Sequence, residues 1–167
     1  MVIMARLFSA LILMFFAAIS AVQAHDYAKS GIMISHPWAR AATAGMAHSA
    51  AYMMIENAGL SDDRLIGAES DIAQKVEIHE TSMADNVMQM REVTGGLAIP
   101  ENSKVELKPK GLHVMLMGLN GALKVGEKHS LTLIFEKAGP IEVELKIEPI
   151  GKTGHDHSNM KMGQDSH

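Results

Sequence analysis

The chain contains no cysteine, a single tryptophan and only a few other aromatic residues. Without thiols it can form no disulfide, cannot act as a thiol-disulfide reductant and cannot bind a metal through thiolate. Basic residues are also scarce, 15 Lys plus Arg against 19 Asp plus Glu for a formal net charge of −4. That balance argues against nucleic acid as a partner, because a phosphate backbone demands a basic face. The one long apolar run, LFSALILMFFAAI, is too short for a comfortable membrane span and has no stop-transfer flank. With Arg6 before it and the small residues Val22 and Ala24 after it, residues 1–24 read as a secretory signal peptide cleaved after Ala24. Removing it takes away one positive charge and places the rest of the chain in the periplasm.

What the sequence has instead is 14 methionines and 9 histidines in 167 residues. The length left after the leader suits one domain of ordinary size, residues 25–150, whose stability rests on a hydrophobic core. Short alternating segments succeed one another along it: the stretch from Ile32 through HPWAR, then AYMMIEN, RLIGA, KVEIHE, VMQMREV, Leu97 to Ile99, Lys104 to Leu107 and LHVMLMGL. A terminal pair, His129 to Glu136 and Ile141 to Ile147, is joined by the turn KAGP. Ala84-Asp85-Asn86, Asn57-Ala58-Gly59 and Asn120-Gly121 are turn chemistry between strands. No convincing amphipathic helix interrupts them, so the expectation is an all-β Greek-key sandwich or barrel. Trp38 is the one tryptophan available to anchor a core, and of the adjacent pair Met53 and Met54 one faces inward.

Residues 79 to 117 carry the most distinctive chemistry. In KVEIHE, period-two alternation puts Val76 and Ile78 on one face and His79 on the other, and in LHVMLMGL it separates Val114 and Leu116 from His113, Met115 and Met117. Met88 and Met90 likewise share a face. Thioether sulfur is soft and uncharged, so beside neutral imidazole it suits Cu(I) better than the cations that prefer oxygen. The competing explanation is that these methionines fill a core. It would require both faces of LHVMLMGL to be buried, which a histidine in the row disfavours.

The final stretch from Gly151, GKTGHDHSNMKMGQDSH, is polar and lacks apolar periodicity. It carries His155, His157, Met160, Met162 and His167, a composition that marks a second metal site on a tail, with Cu(II) the oxidation state that a His-rich tract favours. After cleavage the chain begins at His25, whose amino group and imidazole could chelate copper; an ordinary mobile terminus is the plainer explanation.

Specific spacings then carry a resemblance. His79 and Met90 are separated by ten residues, and after a further twenty-two comes His113-Val114-Met115. This resembles the motif of the periplasmic copper chaperones called PCuAC, in which the second gap is one residue shorter. HPWAR, AYMMIEN, VEIHE, LKPKGLHVMLMGL and FEKAG are similar to the family as well, covering roughly residues 32 to 148. The resemblance implies a cupredoxin-like β-sandwich that binds one Cu(I) through His79, Met90, His113 and Met115. It also implies delivery to the copper subunit of a respiratory cytochrome oxidase, together with a Sco-type thiol protein, the membrane being met only through that partner. Met83, Met88 and Met117 are rim residues on this reading; Met46 and His48 sit in the loop before AYMMIEN and could add a ligand. Two other classes stay open: a periplasmic copper buffer or scavenger that works through the His/Met tail, and a copper enzyme built on His25. No cysteine nucleophile or acid-base pair supports an enzyme.

Overall fold

A computed structural model describes residues 27–84 and 87–151. Among them there are eleven strands and no helix: β1 (Tyr27–Lys29), β2 (Ile32–Arg40), β3 (His48–Asn57), β4 (Asp63–Glu69), β5 (Ala73–Ala84), β6 (Val87–Glu92), β7 (Leu97–Ile99), β8 (Ser103–Leu107), β9 (Leu112–Leu119), β10 (Lys128–Phe135) and β11 (Gly139–Glu148). The strands form one sheet in the order β6-β5-β9-β3-β2-β11-β10-β4-β7, with β1 added to β2 and β8 to β3. Every pairing is antiparallel except β11 with β2. The two wings of the sheet close on each other, β4 packing on β5 and β7 on β3 and β8.

One face of that curled sheet makes the core. Leu131, Leu133 and Phe135 on β10 and Ile141, Val143, Leu145 and Ile147 on β11 are buried at every second position, as half-buried strands require. Met53 is the inward member of its pair, in the row with Ala51 and Ile55. Ile78, Val114 and Leu116 are buried as their alternation indicates, and Val76 packs half-buried against them.

Two local devices aim side chains at the opposite face. In β2 the register against β3 shifts between Ser35 and Trp38, where His36 has φ 53° ahead of Pro37. A bulge of this kind changes which residues point inward. Ile32 and Ile34 face the core before it and Ala39 after it, so Trp38 and Arg40 come out on the other side. Trp38 is buried there against Tyr52, ring centroids 4.6 Å apart, and not within the main aliphatic cluster. The second device is β3 itself, which pairs with β9 over His48–Ala51 and with β8 over Met53–Asn57. The sheet forks at that point.

Between 84 and 87 the hairpin closes with Ala84 paired to Val87; the turn residues Asp85 and Asn86 lie outside the described residues. The short first strand, Tyr27–Lys29, falls where the sequence reads as a free terminus, and it forms because its backbone pairs with Ile32–Ile34.

Asp63 ties the start of β4 to the turn between β10 and β11. Its Oδ1 accepts hydrogen bonds from the backbone N–H groups of Arg64 (2.7 Å) and Lys137 (2.9 Å), and Oδ2 accepts from Ala138 (2.9 Å). Burial alone would raise its pKa, but these three donors and the Lys137 charge together hold it below the usual carboxylate value. A depressed carboxylate contributes stability that is complete above the unfolded value near 3.9 and is lost as pH falls through the folded one. Replacing Asp63 by Ala is expected to destabilise the protein by about 2–3 kcal/mol at neutral pH in denaturant titrations, with the gap narrowing in acid. A loss that does not change with pH would contradict this role.

Candidate metal centre

Strand β9 runs between β5 and β3, and the register decides what its outer face meets. His113 lies directly opposite His79 on β5, Met115 lies between Glu77 on β5 and Ala50 on β3, and Met117 lies between Lys75 and His48. On the far side of β5, Thr81 is paired with Met90 and Met83 with Met88 of β6. Tyr52 pairs with Trp38 and stands beside His113, ring centroids 6.4 Å apart. A row of rings therefore crosses the sheet from Trp38 through Tyr52 and His113 to His79, the two imidazole centroids being 5.9 Å apart. His79, Met90, His113 and Met115 all project from this one face, as do Met83, Met88 and Met117.

His113 departs from the expectation that the His/Met face lies outside the packed interior: it is only 3% exposed. The reason is its place in the middle of the sheet, with Tyr52 packed on one side and the β5–β6 hairpin on the other. Met115 and Met117 are half-buried, whereas Met83, Met88 and Met90 are exposed. The core-filling explanation thus fails for the β6 methionines, which have no core to fill.

Each imidazole is held by one nitrogen. His79 Nε2 lies 2.8 Å from the Glu77 carboxylate, and His113 Nδ1 lies 2.9 Å from the Gly111 carbonyl oxygen. Both partners are acceptors, so these nitrogens carry the protons and donate. The lone pairs then sit on His79 Nδ1 and His113 Nε2. His79 Nδ1 is buried and has no hydrogen-bond partner, a state that leaves about 1–3 kcal/mol of desolvation uncompensated. Carboxylate-to-histidine bonds of this kind are what orient imidazole ligands toward a metal. Glu77 also pairs with Lys75. The Lys75 hydrogen bond, and then that of His79, keeps the Glu77 carboxyl below its ordinary pKa and so ionised. For His113, burial is the main effect lowering its pKa, assisted by His79 and Arg40 and opposed by the Gly111 bond, so the ring stays neutral and able to donate a lone pair.

Beside His113 lies an open cavity of about 550 Å³. Met46, Met88, Met90, Met115 and Ile150 supply its apolar wall; His48, Tyr52, Thr81 and His113 line it too, and Arg40 and Lys110 bring two positive charges. The Arg40 guanidinium stacks 5.4 Å from the Tyr52 ring centroid. Among the described residues no three or more His, Asp or Glu side chains come together as a metal cluster. Two imidazoles and neighbouring thioethers are what the face offers, a donor set for a soft monovalent ion.

Sequence reasoning passed over Glu77, Tyr52, Arg40 and Lys110. Glu77 was accessible as the residue two before His79 on the same face; for the other three, strand pairing had to be known. His25 and the tail residues His155, His157, Met160, Met162 and His167 lie outside the described residues, as does the 1–24 leader.

Comparison with known proteins gives a consistent result. The LpqE-like family model matches residues 32–147. A chain of Leifsonia xyli subsp. xyli named as a lipoprotein, Lxx21020, is 36% identical over 118 residues, covering 70% of each chain. Among solved structures, the copper-bound PCuAC domain from PmoF2 aligns at TM-score 0.63 and 33% identity, covering 75% of this chain and 98% of that domain. The solution structure of CuI-DR1885 from Deinococcus radiodurans aligns at TM-score 0.52 and 27% identity, covering 80% of this chain and 85% of that one. With the fold, the one-faced His/Met arrangement and these matches agreeing, the chain belongs to the LpqE-like family of PCuAC-type, cupredoxin-like domains.

Proposed function

We propose that the protein carries Cu(I) as cargo outside the cytoplasm, holding it through His79 Nδ1, His113 Nε2 and the sulfurs of Met90 and Met115, and releases it by ligand exchange. The observation that carries this reading is the pair of register-matched imidazoles, each tethered through one nitrogen, with His79 Nδ1 buried and unpaired on the sheet face that also carries the thioether side chains. The copper-bound PCuAC domain and the CuI-bound DR1885 support it as relatives of known cargo. Thioethers need no deprotonation and form no disulfides, so such a site keeps its ligands in an oxidising compartment and yields the ion to a thiolate acceptor.

On this proposal the acceptor is the copper subunit of a cytochrome oxidase, with a Sco-type thiol protein as a second partner, and the leader at residues 1–24 directs the chain to the periplasm. The tail residues His155, His157, Met160, Met162 and His167 form a secondary site that takes Cu(II) as well.

Three measurements test the site. His79→Ala and Met90→Ala should each weaken Cu(I) binding by at least about 100-fold in chelator competition, beyond the 10–100-fold usual for outer-shell changes. Met90 is exposed, so its loss should leave thermal stability within about 0.5 kcal/mol, and an unchanged affinity would refute its role as ligand. Glu77→Gln should loosen Cu(I) by about tenfold while leaving the stoichiometry at one, because it alters only the hold on the His79 ring.

In the metal-free protein, the His113 ring signals followed by NMR should titrate below the ordinary imidazole value of about 6.5. Protein stability should correspondingly decline as pH falls from that value to the folded one, the unfolded chain taking up the proton first. A midpoint at or above the ordinary value would show that the ring is not buried as described.

A further inference from the structure

The cavity beside His113 carries charge of one sign on a largely apolar wall. Met46, Met88, Met90 and Ile150 keep exposed apolar surface around it, while Arg40 and Lys110 bring two positive charges. Among the described residues that line it there is no Asp or Glu. In a chain of formal net charge −4, the sign of this wall is opposite to that of the whole.

Neither cation has a carboxylate partner. Lys108 pairs with Glu106 at 2.7 Å, and Glu148, which lies beside Arg40 in the β2–β11 ladder, pairs with Lys146 at 2.9 Å. For Arg40 and Lys110 the described residues supply no carboxylate oxygen within 4.0 Å. The Arg40 guanidinium rests on the Tyr52 ring, and its Nε is buried with no acceptor. A partly buried charge without a counter-charge is costly, so the fold gains if an anion arrives. Lys110 is fixed by its backbone, with φ 65° in the turn closed by the Gly111 N–H donating to the Lys108 carbonyl at 3.1 Å. Left-handed backbone at a residue other than glycine costs energy and persists where the surroundings over-determine it, often at ligand clamps.

A cavity of about 550 Å³ is the size of small-molecule sites, roughly 300–1,000 Å³, whose walls are mostly apolar with a few polar groups that fix orientation. Paired cations recognise a carboxylate, and thioether and aliphatic surface recognises hydrocarbon. A free amino acid fits poorly, because no carboxylate on the wall answers its ammonium group.

We propose that the cavity binds a monocarboxylate with a hydrocarbon chain, its carboxylate on Arg40 and Lys110 and its chain along Met46, Met88, Met90 and Ile150. The site needs no copper and does not rest on the copper reading. Met90, His113 and Met115 line the same cavity, so where carboxylate and Cu(I) both bind, each changes the other's affinity by the same factor.

Octanoate, kept below its micelle concentration, is the probe, added to the metal-free full chain after leader removal and followed by methyl NMR. It should shift the Met46 and Met88 methyls saturably and leave that of Ile66, an exposed residue on β4, in place. Acetate, which has the charge without the chain, and 1-octanol, which has the chain without the charge, should each bind at least about tenfold more weakly. Lys110→Gln, on an exposed turn, should weaken octanoate by about tenfold, the loss expected for one charged hydrogen bond, as should Arg40→Gln. If 1-octanol or acetate binds as well as octanoate, or if neither substitution changes its affinity, the proposal fails. An N-acetylated tetraglutamate peptide stands in for a docked acidic protein; tighter binding of that peptide than of octanoate would also overturn it. Cu(I) added separately, read by the Met90 and Met115 methyls, tests the copper reading whatever octanoate does.

Discussion

The antiparallel pairing of β5 with β9 is the constraint on which the functional face depends. It sets His79 opposite His113 and, through the same ladder, Val76 opposite Leu116 and Ile78 opposite Val114. The apolar pairs and the imidazole pair are two faces of one register. Slipping it by a residue would send the imidazoles into the aliphatic core and Val114 and Leu116 outward. Burial of Val114 and Leu116, about 1.5–3 kcal/mol for each such side chain, therefore also fixes where the imidazoles meet. Core packing and site geometry are not separable here.

A second layer on the outer face makes the imidazoles usable. Trp38 and Tyr52 stack beside His113 and keep it buried and neutral, while Glu77 and the Gly111 carbonyl occupy one nitrogen of each ring. The bulge at His36–Pro37 is what brings Trp38 and Arg40 to this side. Rigid imidazoles in the middle of the sheet contrast with exposed methionines on the edge strand β6. On the copper reading the asymmetry separates tasks: the histidines are fixed by packing, and the flexible thioethers, which adapt their rotamers easily, are where an incoming acceptor gains access.

Much of the fold was legible because its strands are half-buried and alternate cleanly. β9, β10 and β11 could be read almost residue by residue from Leu112–Leu119, Lys128–Phe135 and Gly139–Glu148. β1 was not, because three residues with one partly buried side chain leave no periodic signal and gain their order from pairing with β2. The burial of His113 was also hidden, since alternation tells which residues share a face but not what covers that face.

By itself the sequence determined the chemistry available: no thiol, many thioethers and imidazoles, and an alternation that keeps His79, His113 and Met115 off the aliphatic side. Those are local properties, set by side-chain type and the two-residue period of a strand. Only the tertiary structure decided that segments more than thirty residues apart lie side by side, that Glu77 and Gly111 choose the free nitrogen on each ring, and that Arg40, Tyr52 and Lys110 gather around one cavity. Strand pairing is a long-range choice made by the whole core, and no single stretch of the chain encodes it.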